Sequence, residues 1–149
     1  MRHLERLRLM RAVTEVRSAQ QLAAEAEVGR LSVRRSEAHT KREASSAELD
    51  SRQACWSSTV SSSSFDPQMA GYWAREVVAG VADLERANLE LRDVEAAAAD
   101  ARVAWRAAIA ACETAETLLA GSRRALTQHL DEEALNTAED LRKTPRGVR

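Results

Sequence analysis

Apolar residues recur along this chain with alternating spacings of four and three. In the second half the row is Trp73, Val77, Gly80, Leu84, Ala87, Leu91, Val94, Ala98, Ala101, Trp105, Ala108, Cys112, Ala115, Leu119, Ser122 and Leu126, and all but Gly80 and Ser122 are apolar. A seven-residue period sustained over that length marks the seam of a coiled coil, and it excludes a strand, whose period is two. The first half carries a sparser row: Leu9, Ala12, Val16, Ala19, Ala23, Ala26, Arg30, Val33, Glu37, Thr40, Ala44, Ala47, Ser51 and Ala54. Ten of these fourteen are apolar and most are Ala. A buried Leu or Val contributes roughly 1.5 to 3 kcal/mol and an Ala knob much less, so the first helix is expected to depend on its partner.

Between the halves lies Ser57-Ser58-Thr59-Val60-Ser61-Ser62-Ser63-Ser64-Phe65-Asp66-Pro67, which combines poor helix formers with turn chemistry. Asp66 suits an N-cap and Pro67 the first helical position, where a missing N–H costs nothing. The pattern therefore predicts an all-α fold, a long two-helix antiparallel coiled-coil hairpin forming a single domain. Helix 1 covers about 3–57, the Ser-rich turn about 58–66, helix 2 about 67–142 and a basic tail 143–149. At about 1.5 Å per residue the two helices would measure roughly 80 and 110 Å, with helix 2 overhanging the start of helix 1. Surface pairs with the favourable i, i+4 order, Glu37 with Lys41, Glu48 with Arg52 and Glu139 with Lys143, would add only about 0.2 to 0.5 kcal/mol each.

Composition agrees with long helices: of 149 residues only five are Gly, two Pro and five aromatic. No run of about 18 apolar residues is present, and the Arg-rich opening Met1–Met10 has no apolar stretch behind it, so neither a membrane span nor a signal peptide is expected. Cys55 and Cys112 would lie far apart in a hairpin and are expected as reduced thiols. The net charge of −1 conceals an uneven distribution. Residues 1–35 hold eight Arg against four Glu, residues 142–149 hold four basic groups and no acid, and the stretch between holds ten basic against nineteen acidic. In an antiparallel hairpin both basic segments belong to the open end.

Chemistry-bearing motifs are missing. There is no nucleotide-binding glycine loop, no nucleophile constellation and no metal-ligand spacing around His3, His39 or His129. Asp131-Glu132-Glu133 are consecutive helical residues that point in different directions and read as a solvated turn. The chain is thus expected to be no enzyme and to need no cofactor. Its arginines are interleaved with Glu and lack an aromatic platform, which argues against nucleic acid. A membrane-surface helix over residues 2–17 is a further option, but a seam plus a basic face accounts for the same residues. Near the turn, Tyr72 and Trp73 are neighbours about 100° apart on a helix and cannot both face helix 1. With Val78 and Val81 off the seam, two readings stand side by side: Trp73 closes the seam while Tyr72 covers the loop, or these residues form an apolar docking patch close to the tip.

The organisation resembles the small coiled-coil stalk proteins of type III export, the FliJ family of the flagellum and its YscO (SctO) counterparts in injectisomes. The resemblance is carried by Leu4-Glu5-Arg6-Leu7-Arg8-Leu9 ahead of Ala-rich heptads, a central loop and the aromatic start of helix 2 at Tyr72-Trp73. It continues through Val103-Ala104-Trp105-Arg106, Leu118-Leu119 with Arg123-Arg124, and an acidic pair before Arg142-Lys143. The Ser-rich loop and the aromatic-poor first helix depart from many flagellar members. The resemblance implies a bacterial cytoplasmic protein, peripheral to the export apparatus, whose paired termini enter a hexameric export ATPase. The basic residues Arg2, Arg6, Arg8, Arg11, Arg142 and Lys143 would face that hexamer, while Tyr72, Trp73, Val77, Val78, Val81 and Leu84 would face an export-gate component or an export chaperone. The alternative is a coiled-coil scaffold or dimerisation module with no ATPase partner.

Overall fold

The computed structural model describes residues 2–143 and the side chains of residues 3–142. Of the basic tail assigned to 143–149, Lys143 still belongs to the second helix, while residues 144–149, with Arg146 and Arg149, and the side chains of Arg2 and Lys143 lie outside the described residues. Two long helices pack antiparallel: α1 runs Arg2–Ser61 and α2 runs Pro67–Lys143. No strand occurs among the described residues. Their contacts form two units, one made of Met1–Ala24 with Trp105–Arg149 and the other of Glu25–Ala104.

Helix α1 extends four residues beyond the end expected at 57, because the polar side chains satisfy the helix rather than compete with it. The Thr59 hydroxyl donates to the Cys55 carbonyl at 2.8 Å and Ser61 to the Ser57 carbonyl at 2.8 Å, the back-bonding that lets hydroxyl residues close a helical turn. The turn is thereby reduced to Ser62–Asp66. Asp66 caps α2 as its chemistry suggests: the Gln68 amide donates to Asp66 Oδ1 at 2.9 Å and the Ala70 amide to the Asp66 carbonyl at 3.0 Å.

All sixteen positions of the α2 row are buried or half-buried. The α1 row is a correction. Leu9, Val16 and Val33 are 59, 57 and 60% exposed, and the Ala positions among them are exposed too. Helix α1 instead meets α2 along a row displaced by two residues. In the first unit that row is Leu7, Met10, Thr14, Gln21 and Ala24; in the second it is Val28, Leu31, Arg35, Ala38, Ser45, Leu49 and Arg52. The displaced row holds fewer apolar residues but larger ones, and burial scales with apolar area rather than with the number of apolar positions. Its polar members are long or hydroxyl-bearing: Thr14 donates to Met10 O at 2.8 Å while lying 3.4 Å from Ala115 O across the seam.

Within the second unit, the core is thin: Leu31, Ala38 and Leu49 of α1 meet Ala87, Val94 and Ala98 of α2, all under one-tenth exposed. In the first unit Cys112, Ala115, Leu119 and Ser122 occupy that role on α2. Both cysteines are free thiols.

Candidate functional site

Two surfaces hold the residues that sequence singled out, one in each unit. In the second unit, the six tip residues do not form one patch. Trp73, Val77 and Leu84 belong to the α2 seam and are half-buried towards α1. Val78 and Val81, 70 and 40% exposed, share another strip of α2 at i, i+3. Tyr72 precedes Val81 by nine residues, which at about 100° per residue places it half a turn round the helix. Its ring lies edge-on to Trp73 with centroids 5.2 Å apart, so it partly shields the seam from solvent.

Near the turn lies instead a set of exposed residues of which the sequence singled out only Tyr72. Trp56 and Val60 at the end of α1, Phe65 in the turn, and Met69 with Tyr72 at the start of α2 are all large, apolar and at least two-fifths exposed. Clusters of exposed apolar side chains commonly serve as partner sites. The signal that could have found them is their crowding into seventeen residues on both sides of the turn.

In the first unit, the start of α1 lies beside α2 near residue 129. The His3 and His129 rings sit 4.7 Å apart, and His129 Nε2 is 3.2 Å from Glu133 Oε1. Sequence treated these histidines as isolated, since only antiparallel pairing brings positions so distant in the chain together. No group of three or more His, Cys, Asp or Glu among the described residues could hold a metal ion. The Thr14–Ala115 and His3–His129 contacts set the register. By it, Arg6 and Arg8 of α1 lie at the level of Arg123 and Arg124 of α2. All four are exposed, as is Arg11, and none makes an ion pair among the described residues.

Arg142 does not join that cluster. Every described side chain from Leu130 to Arg142 is exposed, because α2 continues past the start of α1. Arg142 therefore lies about 27 Å beyond Arg124 along α2 by helix rise, past Asp131, Glu132, Glu133, Glu139 and Asp140. The basic end is thus built from Arg6, Arg8 and Arg11 with Arg123 and Arg124, two of which the charge count had assigned to the acidic middle.

The ionic groups of the second unit behave differently. Lys41 pairs with Glu90 rather than with Glu37, Arg35 reaches Glu95 at 3.4 Å, and Arg52 lies among Glu48, Glu76 and Asp83. The Arg52 guanidinium is held above even its usual high pKa, chiefly by its hydrogen bond to the Glu48 carboxylate. Apart from Arg52–Glu48, which lies within α1, these pairs bridge α1 and α2 and so help to hold the helices together.

No family model matches the chain, and neither a curated protein nor a solved structure matches it. No described helix is long and apolar enough to cross a membrane.

Proposed function

We propose that the chain is a non-enzymatic stalk and chaperone-escort subunit of a bacterial type III export ATPase complex, acting on the cytoplasmic side. In this reading the basic end enters the ATPase hexamer and the apolar tip meets an export-gate component or a chaperone. The observation that carries the reading is the group Arg6, Arg8, Arg11, Arg123 and Arg124, exposed where α1 begins beside α2 and without ion pairs among the described residues. Like charges gathered on a slender helix pair repel one another, and an acidic or carbonyl-rich pore would neutralise them. The organisational likeness to FliJ and YscO stalks supplies the identity of the pore.

Replacing Arg6, Arg8, Arg123 and Arg124 with Glu is expected to weaken binding to the hexameric export ATPase by at least about tenfold, and to remove any stimulation of hydrolysis. The wild-type interaction should weaken with salt as the Debye length falls below about 8 to 10 Å. Titration of the purified hexamer in increasing salt, with hydrolysis followed in parallel, reads both effects. Unchanged binding and stimulation by the reversed variant would overturn the stalk reading. A scaffold without an ATPase partner is the second reading, favoured by the exposed apolar row on α1.

A further inference from the structure

Helix α1 carries two rows of seam character, and the structure uses only one of them. In the first unit, Leu9, Ala12, Val16, Ala19 and Ala23 keep the 4,3 spacing of a coiled-coil seam yet face away from α2, with Leu9 and Val16 more than half exposed. The row continues into shallow grooves. Ala12, Val13 and Val16 line one together with Arg17 and Gln20, and Val13 and Arg17 also line its neighbour, which reaches Leu118 on α2. The rim is basic: residues 3–24 hold Arg6, Arg8, Arg11 and Arg17 against Glu5 and Glu15, and none of these four arginines has an ion pair among the described residues.

We infer that this face of α1 in the first unit is a docking surface for an acidic amphipathic helix of a partner protein, which lays its own apolar seam over Leu9, Ala12 and Val16. The spacing selects a helix, because only a helix presents knobs at alternating intervals of three and four. Three of the five row positions are Ala, which lets a second backbone approach closely. The same small side chains suit a lipid surface poorly, since interfacial helices rely on Trp, Phe and Leu for insertion. Charge selects the sign of the partner. Glu or Asp flanking the incoming seam would neutralise Arg6, Arg8 and Arg17, whereas a second copy lying parallel would set Arg6 and Arg8 against themselves. The inference holds whether or not the chain serves an export ATPase.

The test uses the full chain and two synthetic helical peptides of about three heptads, with Leu at the seam positions and either Glu or Lys at every flanking position. Fluorescence anisotropy should show the Glu peptide binding and the Lys peptide at least about tenfold weaker, with the difference shrinking as salt rises. The double variant Leu9→Asp with Val16→Asp should lose at least about tenfold in affinity for the Glu peptide. Its helicity should be unchanged by circular dichroism, because both side chains are solvent-facing. Failure of the Glu peptide to bind, or equal binding of both peptides, overturns the inference. So would self-association of the wild type abolished in the double variant, which would make a second copy the occupant. Capture by phosphatidylserine vesicles abolished in the same variant would make it a lipid surface and overturn the inference too.

Discussion

Leu31→Asp is expected to lower the melting temperature of the chain by roughly 10 °C, while Val33→Asp two residues away leaves it nearly unchanged. Both are branched apolar residues on the same helix of the same unit, and the Ala-rich row would have put Val33 in the seam. Leu31 is 6% exposed and Val33 is 60% exposed. Truncating a buried Leu costs about 2 to 5 kcal/mol, and leaving a carboxylate against apolar neighbours adds a desolvation cost. A loss of at least about 3 kcal/mol corresponds to that shift at about 2 to 4 °C per kcal/mol for a chain of this size. Substitutions at exposed positions usually stay within about 0.5 kcal/mol. Thermal unfolding followed by circular dichroism would check both variants, and equal losses would remove the distinction between the two rows.

Gly80→Leu is expected to be the most disruptive change at a position that carries no side chain at all. Gly80 is buried in the α2 seam, and a Cβ placed there would meet Leu49 Cδ1 at 3.2 Å, Arg52 Cδ at 3.3 Å and Arg52 Nη1 at 3.5 Å. A helical side chain leans over the turn that precedes it, so a residue at 80 would cover the carbonyl of Glu76. Because Gly80 leaves that carbonyl open, Arg52 of α1 crosses the seam and donates to Glu76 O at 3.0 Å, among the carboxylates of Glu48, Glu76 and Asp83. A single Gly facing a single Arg favours one register over its neighbours, as buried polar positions do in other coiled coils. Leucine at 80 overpacks the seam by about 1 to 3 kcal/mol and ejects Arg52, outweighing the roughly 1 kcal/mol gained by removing a helical glycine. For Gly80→Ala the two effects nearly cancel, because the atoms it meets are movable side-chain ends. Denaturant titration should therefore show a clear midpoint loss for Leu and almost none for Ala; equal midpoints would mean that Arg52 does not depend on Gly80.

How much of this was readable beforehand differed between the helices. The α2 row was legible to the last residue because Trp73, Leu84, Leu91, Val94, Trp105, Leu119 and Leu126 leave one helical face consistent with all of them. Helix α1 was ambiguous for a physical reason. Alanine is apolar enough to score in a periodic row but small enough to be left in water at little cost, so the row richest in Ala was the wrong one. The true row hides behind Thr14, Gln21, Arg35 and Arg52, whose aliphatic stems or hydroxyls serve a seam while their polar ends reach its edge. Helix and hairpin were recoverable, and the face of α1 was not.

The surfaces follow the same logic. Arg6, Arg8 and Arg11 were read as a basic end, but Arg123 and Arg124 join it only through the antiparallel register, and Arg142 leaves it because α2 overhangs. The tip was recognised as apolar from Tyr72 and Trp73, yet membership depends on angle around each helix. That angle separates Tyr72 from Val81 and admits Trp56, Val60 and Met69 as exposed neighbours of the turn.

Disulfide trapping tests the register of α1 most directly. With Cys55 and Cys112 replaced by Ala, one variant carries Cys at Thr14 and Ala115, and a second carries Cys at Ala12 and Ala115. Thr14 Oγ1 lies 3.4 Å from the Ala115 carbonyl, whereas Ala12 is exposed on the other row. A disulfide forms only when the two Cβ atoms come within about 3.5 to 4.5 Å. Under mild oxidation the 14/115 pair should cross-link within one chain, read as a mobility shift on a denaturing gel and reversed by reductant, and the 12/115 pair should not. Cross-linking of 12/115 in preference to 14/115 would return the Ala-rich row to the seam and contradict the account.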